Sequence, residues 1–121
     1  MSESNTLKLI MLSFKQGRLL RNNQGIATYK NGQKVKYGVG HGGSDLIGWT
    51  IIGDKAVFTA VEVKRENWTY NPCDKRERQQ KAFIDAVASS GGIAGFVTSV
   101  FEFEELIKSF VDKPNDRVYS G

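Results

Sequence analysis

Hydrophobic positions change period along the chain, and each change marks an element. Leu7, Ile10, Met11 and Phe14 recur at helical spacing, which predicts a helix over 3–16 with Gly17 as its C-terminal stop. Short β-rich runs follow at 18–21, 26–29 and 34–37, separated by the turn signals Asn22-Asn23-Gln24-Gly25 and Asn31-Gly32. A glycine-rich loop, 38–43, leads into two longer runs, DLIGWTII (45–52) and AVFTAVEVK (56–64). Both are rich in β-branched and aromatic residues, and Gly53-Asp54 between them reads as a two-residue hairpin turn. A polar loop at 66–75 carries Trp68, Tyr70 and Pro72. A helix over 76–89 then places Gln80, Phe83, Ile84 and Val87 on one stripe and ends at Gly91-Gly92. A short buried strand at 93–97 and a helix over 101–111, started by Thr98 or Ser99, complete the pattern; 112–121 reads as a frayed tail. The order is helix, short strands, long hairpin, helix, strand, helix. It predicts the α/β class, with a mixed sheet flanked by helices. No repeat or linker divides the chain, so 1–121 is expected to be a single domain.

The long hairpin carries the chemistry. With a two-residue turn, residues whose numbers sum to 107 face each other: 52 with 55, 49 with 58 and 45 with 62. Asp45 and Glu62 are then opposed with Cβ atoms about 5 Å apart, and alternation puts Lys64 on the same face. Like charges directly opposed destabilise a sheet, and a divalent cation between them resolves the conflict. Mg²⁺ and Mn²⁺ take hard oxygen ligands of this kind, and such ions lower the pKa of an attacking water and neutralise charge on a scissile phosphate. The Val63 carbonyl is a candidate third ligand. The Lys64 ammonium is placed to orient the water or offset developing phosphorane charge. A Glu–Lys surface ladder is the bland alternative.

Charge narrows the partner. Residues 1–81 hold 14 Lys/Arg against 7 Asp/Glu, and residues 82–121 hold 3 against 6. The basic part contains the hairpin, so an anionic partner is expected there, nucleic acid first. Arg21, Lys36, His41, Arg65, Arg76 and Lys81 are the candidate DNA contacts. One cysteine excludes an intramolecular disulfide, and one cysteine with one histidine cannot build a structural zinc site. With no signal-peptide pattern and no apolar run of the ~20 residues that span a bilayer, a cytoplasmic location without membrane contact is expected. Gly38-Val39-Gly40-His41-Gly42-Gly43 matches the dinucleotide-binding pattern G-x-G-x-x-G. That fingerprint must open a helix, whereas a strand is expected next. No nucleotide cofactor is therefore expected, and the glycines are assigned to turns or to close backbone approach to a ligand.

Gly43-Ser44-Asp45, Glu62-Val63-Lys64 and Gln80, in that order, resemble the PD-(D/E)XK nuclease superfamily, with Ser44 where the superfamily name has proline. More narrowly the chain is similar to the virus-type replication-repair nuclease family, VRR-NUC. Supporting matches are Glu3, Arg21-Asn22-Asn23 with Gly25, Gly42 to Gly48, Ala60 to Lys64, Gln80-Lys81-Ala82-Phe83 and Gly91 to Gly95. The resemblance implies a restriction-endonuclease-like αβββαβ core and an Mg²⁺- or Mn²⁺-dependent endonuclease. It maps Asp45, Glu62 and the Val63 carbonyl onto metal ligands and Lys64 onto the catalytic lysine. Glu3 would be the helix-borne acid that completes the site, and Gln80 the glutamine of the following helix. Short stand-alone members resemble Holliday junction resolvases and act as homodimers, which implies branched DNA as substrate in a phage or prokaryotic setting. A monomeric flap- or end-directed nuclease and a DNA-structure-binding protein without cleavage are the alternatives.

Overall fold

The structure is a computed structural model that describes residues 2–23, 25–37 and 42–112. Helix α1 (Glu3–Ser13) starts at Ser2, whose hydroxyl accepts from the Asn5 N–H at 3.1 Å. It ends at Phe14 in extended backbone, earlier than the expected boundary at 16. Gly17 is not the helix stop. It begins strand β1 (Gly17–Arg21) opposite Thr50, where a Cβ would collide with the Trp49 carbonyl. The glycine therefore serves cross-strand approach, which helix-stop rules do not anticipate.

Strands β2 (Gly25–Thr28) and β3 (Lys34–Tyr37) pair only with each other as a two-stranded ribbon. The main sheet runs β1, β4 (Leu46–Ile52), β5 (Lys55–Val63), β6 (Ile93–Val97). Its first three strands are antiparallel and β6 is parallel to β5. Helix α2 (Lys75–Ser89), capped by Asp74, makes the crossover to β6, and helix α3 (Val100–Val111), capped by Ser99, follows it. The αβββαβ core is thus α1, β1, β4, β5, α2 and β6, with the ribbon inserted between β1 and β4. This is an α/β fold with a mixed central sheet flanked by helices, consistent with a PD-(D/E)XK-like nuclease fold.

Alternation in the strands divides the sheet into two faces. Leu19, Leu46, Val61, Val63, Ile93 and Val97 form the core with Leu7 and Ile10 of α1 and Phe103 and Ile107 of α3. Phe14 meets Phe103 edge-on at 5.2 Å. Glu62 and Lys64 point the other way, under α2, whose buried side chains are Gln80 and Ile84. The site therefore lies on the face opposite α1. No helix among the described residues is long and apolar enough to cross a membrane. Of the expected frayed tail, only Asp112, the C-cap of α3, lies among the described residues.

Candidate active site

The hairpin has the register read from its turn. Leu46 pairs with Val61 and Ile52 with Lys55, across Gly53 at φ 63°. The ladder stops at Leu46, and Asp45 extends it through its side chain, with Oδ2 accepting the Val63 N–H at 3.0 Å. The Asp45 carbonyl accepts the Asn22 N–H at 2.8 Å, and Asn22 Nδ2 donates to the Ser44 carbonyl at 2.9 Å. Asp45 is thus pinned between the end of β1 and the end of β5.

Glu62, 4% exposed, sits beside Asp45 on the face covered by α2. Its Oε2 accepts from Gln80 Nε2 at 3.2 Å, while Gln80 Oε1 accepts from Lys64 Nζ at 2.7 Å. One amide therefore grips both the acid and the ammonium. A glutamine on an otherwise apolar stripe has its reason here, since either end of the amide would be unsatisfied against a purely apolar sheet.

Burial and the neighbouring Asp45 charge push the Glu62 carboxyl up from 4.5 to about 8, helped by a hydrogen bond with Asp45 and opposed by Lys64. As a carboxylate, Glu62 leaves Oε1 buried with no donor, and the hydroxyl of Ser44, the residue before Asp45, is also buried without a partner among the described residues. A proton shared with Asp45, or a cation, relieves the Glu62 oxygen. A residue's N–H and C=O point to the same side of a strand, so the Val63 carbonyl faces the Asp45 side as its N–H does. Two carboxyl groups and a carbonyl make a hard oxygen set that fits Mg²⁺ or Mn²⁺, with water and substrate oxygens filling the remaining positions.

Glu3 does not join this set. It is exposed in the first turn of α1, on the opposite side of the sheet, and no three His, Cys, Asp or Glu side chains among the described residues cluster to hold an ion. Its position at a helix N-terminus suits the macrodipole.

Lys64 has an aromatic seat that the sequence did not disclose. Its Nζ lies 5.5 Å from the Trp68 ring centroid and 6.0 Å from that of Phe96, and the two rings pack at 4.8 Å. Trp68 Nε1 donates to Glu77 Oε2 at 3.1 Å, which fixes the indole against α2. Phe96 reaches the site because β6 pairs in parallel with β5 and sets it beside Glu62.

The expected DNA contacts scatter. Arg21 ends β1, Lys36 lies on β3, Arg65 lies two residues past β5 and Arg76 is in the first turn of α2, all exposed. Lys81 is held by Asp85 at 2.7 Å and lies near the Tyr70 ring. His41 lies outside the described residues. Within the glycine loop, Gly42 has φ 79° and a Cβ there would strike the Gln79 carbonyl, so it serves contact with α2 rather than with a ligand. The residues after the loop form β4, as expected, and not a nucleotide-binding helix.

The sequence model of the VRR-NUC domain family matches residues 8–101. Neither a curated protein nor a solved structure matches the chain.

Proposed function

Since the chain belongs to the VRR-NUC family, a nuclease domain family of the PD-(D/E)XK superfamily, we propose that it is a divalent-cation-dependent endonuclease of branched DNA. We place all of 1–121 in one nuclease domain that works as a homodimer on four-way junctions, one site per strand, in the cytoplasm of a bacterial or phage-infected cell. The observation that carries the reading is the bridge by which Gln80 holds Glu62 and Lys64 together beside Asp45.

Asp45, Glu62 and the Val63 carbonyl would hold Mg²⁺ or Mn²⁺, which lowers the pKa of an attacking water and neutralises charge on the phosphate. Glu62 must release its proton to serve as a ligand. Lys64, aimed by Gln80 and seated on Trp68 and Phe96, offsets charge that develops on the phosphate oxygens. Attack by water in line with the 3′ oxygen breaks the P–O3′ bond, and the proton passes to that oxygen. The products are a 5′-phosphate and a 3′-hydroxyl.

The seat of Lys64 has its own consequence. A cation–π contact contributes about 0.5–2 kcal/mol, so Trp68→Leu should lower kcat by roughly 2–30-fold with KM for DNA little changed. Trp68→Phe should restore most of the rate. Equal losses in both variants, or a loss confined to KM, would give Trp68 another role.

The function is tested with labelled four-way junction, 5′-flap and linear duplex DNA, incubated with protein and Mn²⁺ beside an EDTA control. Paired symmetric nicks on the junction alone are expected, and they should vanish in EDTA. Cleavage confined to the flap would replace the junction reading with an end-directed one. Tight binding without cleavage of any substrate would remove the enzymatic reading.

A further inference from the structure

The β2–β3 ribbon stands outside the sheet that carries the site, and every side chain described in it beyond Gly25 is exposed. Ile26 is 57% exposed and Val35 38%, while Tyr29, at the turn, is 55% exposed. A two-stranded ribbon is marginal in water by itself, and this one buries none of its described side chains. Its charge is one-sided. From residue 17 to residue 37 there are five basic residues, Arg18, Arg21, Lys30, Lys34 and Lys36, and no acid. The pairings Ile26↔Lys36 and Thr28↔Lys34 set Lys34 and Lys36 on one face, and Lys30 lies at the tip. The ribbon also springs from the site, because Arg21 pairs with Leu46 and the Asn22 N–H donates to the Asp45 carbonyl. A polyanion lying along the ribbon is therefore led towards Asp45.

We propose that the β2–β3 ribbon is a docking arm for duplex DNA beside the cut, with Lys30, Lys34 and Lys36 against its phosphates. This rests on the reading of the chain as a DNA nuclease. A two-stranded ribbon matches the width of a major groove, and three cations without an acid match its charged edges.

The test is the triple variant Lys30→Ala, Lys34→Ala, Lys36→Ala in the full chain. Binding to a fluorescent linear duplex is followed by anisotropy in EDTA over a range of salt. Each lost phosphate contact removes about 0.9 from the slope of log K against log salt. The variant should therefore have a slope shallower by roughly two to three and bind more than about tenfold more weakly at 0.1 M salt. Its melting midpoint should match wild type, since none of the three lysines is buried. Unchanged affinity and slope would overturn the proposal, whether or not the wild type cleaves. If the wild type does not cleave with Mn²⁺ yet shows the ribbon-dependent slope, the arm stands and the nuclease reading falls. If Val35→Asp splits a dimer in light scattering while the lysine variant binds DNA like wild type, the ribbon joins copies of the chain, and the proposal is overturned.

Discussion

Glu62→Gln is expected to lower cleavage of the preferred DNA substrate by at least about 10³-fold while making the cation-free protein more stable at pH 8. The two effects have one origin. A bound cation supplies several kcal/mol of charge stabilisation at the phosphate, and each 1.36 kcal/mol is tenfold in rate. The amide offers the cation a neutral oxygen in place of a carboxylate. The shape of the site survives, because a glutamine oxygen can accept from Gln80 Nε2 as Glu62 Oε2 now does at 3.2 Å. Its NH₂ can donate to Asp45, which removes the buried oxygen that the ionised Glu62 leaves without a donor. The check is a single-turnover assay in Mn²⁺ together with urea melts in EDTA at pH 8. Wild-type rates would take Glu62 out of the chemistry, and a less stable variant would mean that the buried carboxylate is better satisfied than its surroundings indicate. Asp45→Asn should lose activity similarly, while its amide oxygen can still accept the Val63 N–H.

Much of this site was legible because hairpin register is a local property. Gly53-Asp54 fixes which residues oppose, and the ladder from Ile52↔Lys55 to Leu46↔Val61 follows from the turn alone. Gln80 was legible as a polar residue on an apolar stripe. What escaped depends on pairing between distant segments. The runs at 26–29 and 34–37 have β character with the hairpin signal Asn31-Gly32 between them, but nothing local says that the pair leaves the sheet to β1 and β4. Phe96 comes beside Glu62 only through parallel pairing across a helical crossover. Glu3 marks a third limit: periodicity locates a helix and its buried stripe, not the face of the sheet on which it packs. Its apolar residues Leu7 and Ile10 commit α1 to the face away from Glu62.

The second large effect is a stability that falls as pH rises when no divalent cation is present. The folded state keeps the Glu62 proton up to about 8, whereas 4.5 is the value for the free side chain. Between those values the folded protein binds more protons than the unfolded chain, so the contribution is complete below the lower value and disappears as pH passes the upper one. At 1.36 kcal/mol per unit the loss is on the order of 3–5 kcal/mol, enough to lower the melting midpoint by roughly 10 °C in a domain of this size. Glu62→Gln isolates the effect because its melting midpoint should be nearly flat from pH 5.5 to 8.5 by comparison. Mn²⁺ should reverse the trend. The cation competes with the proton for the same oxygens, so the rise in midpoint that it causes should be small at pH 5.5 and largest near pH 8.5. A rise of equal size across that range would show that binding the cation displaces no proton, and Glu62 would then not be a ligand.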